Sequence, residues 1–180
     1  MDLILLKPGD SDGIGCKGNV SLIDSEWRAS GLELDDCIEL VSMHHGMKQQ
    51  ITTDVSNRAR TSGRPNISDI TCVKYTDYSS PKFFEYCLSA KPIGADDKTS
   101  KLFILRNSGT DTANIITFEL KNAIISHIEF QSHPNDMPTE QFMLNFTAIR
   151  WTCNVQKNDV TAGGQISTEW SVSRNRPMFV

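Results

Sequence analysis

Phe142-Met143-Leu144-Asn145-Phe146-Thr147-Ala148-Ile149-Arg150-Trp151-Thr152-Cys153-Asn154-Val155 alternates apolar and polar side chains with period two, the mark of a half-buried β-strand. Phe142, Leu144 and Phe146 share one parity, whereas Ile149, Trp151 and Cys153 share the other. One extra residue would return both sets to the same face, so the pattern predicts a β-bulge near Thr147-Ala148. The same period continues outward in both directions. Residues 37–51 carry Ile38, Leu40, Val41, Met43 and Met47 without a proline, and residues 67–78 carry Ile67, Ile70, Cys72, Val73 and Tyr75. Residues 101–106 are a compact strand of Leu102, Phe103, Ile104 and Leu105, followed by a turn signal at Ser108-Gly109-Thr110-Asp111. Residues 115–120 and 124–130 come next, divided near Lys121-Asn122, and Trp170 and Val172 mark a last short strand.

Only one segment has helical spacing. Ser79-Ser80-Pro81 offers a capping hydroxyl and then a proline whose missing N–H costs nothing in the first turn. Phe83, Phe84, Cys87 and Leu88 follow as an apolar stripe, and Pro92 closes the segment, so a helix over about 80–90 is predicted to dock through Phe83 and Phe84. One helix among many strands gives a mainly β fold: an antiparallel two-sheet β-barrel or sandwich with one flanking α-helix.

The chain has 180 residues, enough for a single domain spanning 1–180 with its own core. Its 18 Lys and Arg against 22 Asp and Glu leave a net charge of −4, which excludes a nucleic-acid binder that must neutralise phosphates. The apolar run Leu3-Ile4-Leu5-Leu6 stops at Lys7-Pro8. It is too short for a cleavable signal peptide or a membrane span, so no membrane insertion is expected. Five cysteines (Cys16, Cys37, Cys72, Cys87 and Cys153) form no C-x-x-C pair and read as reduced, mostly buried residues. Two stretches break the β pattern: residues 8–36, an insertion rich in glycine at its start, and residues 52–66, a polar loop holding Arg58, Arg60 and Arg64. A loop of that length between strong strands is usually functional or disordered.

Chemistry is sparse. Gly13-Ile14-Gly15-Cys16-Lys17-Gly18 matches G-x-G-x-x-G, yet residues 8–12 separate it from the preceding strand, and a glycine-rich turn explains it better than a nucleotide site. His44 and His45 are neighbours on a strand, so they point to opposite faces and cannot share a metal. His127 and His133 have no ligand spacing, and Asp35-Asp36 and Asp96-Asp97 read as turn residues. No nucleophile motif is present, so neither an enzyme, a cofactor nor a metal is expected.

Several stretches, in order, resemble the haemolysin-coregulated protein family, the tube protein of bacterial type VI secretion. They are Ile38-Glu39-Leu40-Val41-Ser42-Met43-His44-His45-Gly46, Arg60-Thr61-Ser62-Gly63-Arg64-Pro65-Asn66 and Lys74-Tyr75-Thr76-Asp77-Tyr78-Ser79-Ser80-Pro81-Lys82. Pro138-Thr139-Glu140, then Phe146-Thr147-Ala148-Ile149-Arg150-Trp151-Thr152, then Trp170 and Asn175, complete the set. The resemblance implies a β-barrel subunit that assembles as a homohexameric ring. It implies stacking of rings into a hollow tube driven by a contractile sheath with a spike protein at the tip, and a lumen that carries or chaperones small effector proteins. It implies a bacterial cytoplasmic subunit that is later secreted. In that frame His44 is the candidate lumen-facing residue, and Arg58, Arg60, Arg64 and Asn66 are candidates for ring stacking. Residues 8–36 depart from the family, whose first two strands are joined more briefly. Two other readings compete: a soluble carbohydrate-binding β-sandwich stacking Trp27 or Tyr78 on a sugar, and a small hydrolase using His127 or His133.

Overall fold

A computed structural model of the chain describes residues 2–16, 36–53, 60–94, 98–107, 112–156 and 162–179. The N-terminal part holds β1 (Asp2–Lys7), a short helix α1 (Ser11–Ile14), β2 (Ile38–Leu40) and β3 (Ser42–His44). Four short strands follow: β4 (Met47–Lys48), β5 (Ile51–Thr53), β6 (Arg60–Ser62) and β7 (Asn66–Ile67). Then come β8 (Ile70–Tyr75), α2 (Ser80–Ser89), β9 (Ser100–Asn107), β10 (Thr112–Lys121) and β11 (Ile124–Gln131). The chain ends with β12 (Thr139–Asn145), β13 (Ala148–Gln156) and β14 (Ala162–Ser171). Two antiparallel sheets form the barrel, one ordered β14-β13-β10-β9-β1-β2 and the other β11-β12-β8-β3. The expected mainly β, two-sheet architecture with one principal helix is therefore present. The turn at 108–111 and Trp27 lie outside the described residues.

The parity change near residue 147 is a corner, and the expected bulge is absent there. Strand β12 ends at Asn145 in the four-stranded sheet and β13 starts at Ala148 in the six-stranded one. The two residues between them turn the chain through the barrel edge and so reverse which parity faces inward. Phe146 stays buried, and the Thr147 N–H donates to Lys121 O at 3.0 Å. That bond ties this corner to the neighbouring one, where Asn122 adopts φ 48° between β10 and β11. Register shifts do occur, at Asn114/Ile116, Ile125/His127 and Val155/Gln156. Residues 37–51 are likewise several elements: β2 belongs to one sheet and β3 to the other, joined where the Val41 N–H donates to Val73 O at 2.7 Å.

Helix α2 lies where the cap and stripe predicted it, but on a different face. Phe83 and Tyr86 are buried, Cys87 is half-buried, and Phe84 and Leu88 are 37% and 88% exposed. Phe83 meets Phe142 edge-on, with ring centroids 4.9 Å apart. Tyr86 displaces the expected apolar residues because its ring is buried while its hydroxyl donates to Asp10 Oδ2 at 2.7 Å and accepts from Lys91 Nζ at 2.8 Å. Ser80 is the first helical residue and does not cap. Its hydroxyl accepts instead from the Asp77 N–H at 3.0 Å and from Lys74 Nζ at 3.0 Å. Ser79 holds the N-cap position without a capping bond, and Pro81 sits in the first turn. What draws these groups is Lys74, wholly buried and ion-paired with the equally buried Glu140 at 2.7 Å.

The glycine-rich stretch is structural in its described part. A Cβ on Gly13 would stand 2.4 Å from both Asp10 Oδ2 and the Tyr86 hydroxyl, and Gly15 closes α1 at φ 77°. These are the needs of a tight turn packed on α2. The main core runs between the sheets and α2, and a second apolar cluster of Leu5, Cys37, Phe103 and Leu105 lies on the opposite side of the six-stranded sheet.

Candidate functional site

The described residues of the 52–66 stretch belong to a two-stranded arm rather than to an unstructured loop. At the root, the Gly46 N–H donates to Ser68 Oγ at 3.1 Å and the Ser68 N–H donates to Gly46 O at 3.0 Å. Met47 then pairs with Ile67 and Lys48 with Asn66, and further out Ile51 pairs with Ser62, Thr52 with Thr61 and Thr53 with Arg60. Between these ladders Gln49 and Gln50 face Gly63, Arg64 and Pro65, one residue more, so the arm itself carries the bulge. The short strands are weakly β by sequence, and the ladder holds them.

Of the candidates on this arm, Arg64 is engaged with its own chain. Its Nη2 donates to Val172 O at 2.6 Å, pinning the arm to the turn after β14. Asn66 is exposed on β7, Arg60 belongs to β6, and Arg58 lies outside the described residues. Met47 and Ile51 on the arm are 64% and 52% exposed, a large apolar presence on a two-stranded ribbon.

Beneath the arm is an apolar cleft of about 290 Å³, walled by His45, Met47, Ile67, Phe118, Trp151 and Trp170. The Phe118 and Trp151 rings stack at 5.7 Å, and His45 meets Phe118 at 6.2 Å and Phe146 at 6.0 Å. Burial, and secondarily the neighbouring His44, hold the His45 imidazolium pKa below its ordinary value, with the Ser68 backbone offsetting part of the effect. Neither His45 ring nitrogen completes a hydrogen bond among the described residues. Sequence reading missed this cleft, because its walls come from the arm, β10, β13 and β14, which no local pattern brings together.

His44 and His45 do point to opposite sides. His44 stands on the exposed face of the four-stranded sheet, in a cross-strand row His44–Thr71–Met143–His127. The next row is Ser42–Val73–Gln141–Glu129. This face is mostly neutral and polar, with His44 at one edge and His127 at the other. His127 Nε2 lies 3.7 Å from Glu129 Oε2, and His133 Nε2 contacts Gln131 Nε2 at 2.9 Å. Among the described residues, no three His, Cys, Asp or Glu side chains are grouped to hold a metal ion, and no helix is long and apolar enough to cross a membrane.

Residues 24–153 match the family described as "Type VI secretion system effector, Hcp". The chain is 28% identical over 112 residues to Protein hcp1 of Pseudomonas aeruginosa, covering 61% of this chain and 67% of that one. A solved structure of a type six secretion system protein superposes with TM-score 0.76 at 17% identity, covering 99% of this chain and 100% of that chain. The crystal structure of Hcp1 from Salmonella typhimurium does so with TM-score 0.69 at 19% identity, covering 98% and 99%. The two superpositions agree on the fold, and the family match spans well over half the sequence: this chain belongs to the Hcp family of type VI secretion tube proteins.

Proposed function

We propose that six copies of this chain close into a ring, and that rings stack into a hollow tube expelled with small effector proteins in its lumen. The observation that supports ring closure is the pair of long sheet edges: β14, of ten residues, and β11, of eight, each end a sheet, and among the described residues their outer sides are bridged only at one end, by Arg176 on Ser171 and by Pro92 on Ile124. Such edges template aggregation unless covered, and cyclic contact between identical subunits covers them without leaving a growing end in the ring plane. In this arrangement the exposed face of the four-stranded sheet, with His44, lines the lumen and meets cargo. The contractile sheath surrounds the tube and a spike protein sits at its tip.

Stacking is assigned to the arm, which carries Arg60, Asn66 and, in the sequence between its strands, Arg58. Arg64 has a different role here: by holding Val172 O it aims the arm. Native mass spectrometry at micromolar concentration tests the ring. The expected result is a mass six-fold that of the 20.1 kDa chain; monomers alone would refute it. The double variant Arg58→Glu, Arg60→Glu is expected to leave rings intact by light scattering and to stop tube growth in the electron microscope. Loss of rings in that variant would move the arm to the lateral interface.

A further inference from the structure

We infer that His44 of one copy and His127 with Glu129 of the next hold a divalent transition-metal cation, zinc above all, at each seam of the ring. This rests on the ring reading and adds a ligand to it. Among the described residues no single chain gathers three metal-binding side chains. His44 is exposed on β3, at one edge of the four-stranded sheet, and His127 and Glu129 are exposed on β11, at the other edge. All three belong to the same face. His44 and His127 are the two ends of one cross-strand row, and Glu129 ends the next row.

What one copy separates, a neighbour joins. Each strand of this sheet is antiparallel to the one beside it, so β3 runs opposite to β11. A second copy's β11 laid along β3 therefore continues the alternation and keeps the same face toward the lumen. Both edges are open at this height. Among the described residues no strand lies outside β3, and the bridge on β11 is at Ile124, short of His127. With the row running straight across the seam, His44 stands opposite His127, where Cβ atoms are about 4.5–5.5 Å apart. Closing a sheet into a barrel staggers its strands, in steps of two residues if the faces are to be kept. One step toward Glu129 sets His44 opposite that carboxylate and leaves His127 on the diagonal, still within reach.

The chemistry suits a metal of the borderline class. Imidazole nitrogens and a carboxylate are ligands for zinc, nickel or copper. His127 Nε2 and Glu129 Oε2 already stand 3.7 Å apart, close to the separation of two atoms that each lie about 2 Å from one ion. No lysine or arginine stands in these two rows or in the next, Tyr75–Thr139–Gln131, so none there repels a cation. Three protein ligands leave a fourth position open toward the lumen, for water or for a donor group on a cargo protein.

The test uses tag-free rings, stripped with a chelator, titrated with zinc chloride and read by native mass spectrometry. One zinc per seam is expected on wild-type rings, and none on rings of His44→Ala or of His127→Ser copies. Both residues are exposed, so ring mass should change only by the substitution. The decisive sample is the two variants produced together in one cell; they differ in mass, so the spectrum shows which rings are mixed. A seam is then whole only where the His127→Ser copy offers its His44 to the His127 of a His44→Ala copy. At equal mixing that is about one seam in four, and about that share of the zinc should return. Rings that keep no zinc, or keep it equally in the single variants, would overturn the site and leave the ring standing. Zinc lost from both variants and not regained in mixed rings would overturn its place at the seam. Wild-type protein that stays monomeric would refute the ring, and the site with it.

Discussion

Replacing Glu140 by glutamine removes one charge from an ion pair that water does not reach. Both side chains are 0% exposed, and Lys74 Nζ stands 2.7 Å from Glu140 Oε1. Breaking a buried pair from one side costs about 3–5 kcal/mol, because the remaining charge stays desolvated. Lys74 keeps Asp77 Oδ1 at 2.8 Å and Ser80 Oγ at 3.0 Å, so the expected loss sits at the lower end, about 3 kcal/mol. Against a typical total of about 5–15 kcal/mol, that is a large fraction. Urea unfolding followed by tryptophan fluorescence, at one fixed protein concentration, reads it directly. With a slope of about 2.5 kcal/mol/M, within the usual range, the midpoint falls by about 1.2 M. The double variant Lys74→Met, Glu140→Leu removes both charges with their desolvation cost, and is expected within about 1 kcal/mol of wild type. A Glu140→Gln midpoint within about 0.2 M of wild type would show that the pair between β8 and β12 does not contribute to stability. A double variant as damaged as the single would show that packing, not charge, carries the effect.

Other expectations follow from the same geometry. Gly94→Ala places a methyl 2.5 Å from Lys98 O and 3.4 Å from Gly9 Cα. Backbone cannot yield there, so thermal unfolding should report a loss of about 1–3 kcal/mol. The Tyr86 O–H, and then the Gly13 N–H and Lys91, hold the Asp10 carboxyl below its ordinary pKa, against the opposing effect of burial. A depressed folded value means stabilisation that is full above about pH 4 and lost as pH falls through the folded value, so Asp10→Asn should flatten the acid limb of a stability profile. Burial pushes the Cys16 and Cys72 thiols up to about 12, so a thiol reagent at pH 8 should label Cys87 and Cys153 first in the folded chain. Rapid labelling of Cys72 without unfolding would contradict its place in the core.

The strands were legible where alternation survived, and misread where the chain changed sheets. Period two reports which face a residue takes within one sheet, and it carries no information about a corner. The flip at Thr147 and the division at Val41 therefore looked like a bulge and a continuous strand. The helix shows the complementary failure. Its existence followed from Ser79, Pro81 and Pro92, but Phe84 and Leu88 are exposed because Tyr86 buries its ring and satisfies its hydroxyl on Asp10 and Lys91. Hydrophobicity alone ranks Phe and Leu above Tyr, and a partner 76 residues away reverses the order.

The site was less legible than the fold, for a reason the arm makes plain. Met47 and Ile51 fit an ordinary strand pattern, yet they sit on a ribbon of two strands that has no sheet to lie against and are left largely exposed. Two-stranded ribbons are marginal in water without further packing. Among the described residues this one is fastened at its root by Gly46 and Ser68, and part-way along by the reach of Arg64 to Val172 O. An arm so built, with exposed apolar residues above and an apolar cleft holding an unpartnered imidazole below, leaves its contacts half-made within a single chain. In the proposed tube a second copy completes them, and residues whose partners lie on another molecule leave no periodic trace in the sequence of one.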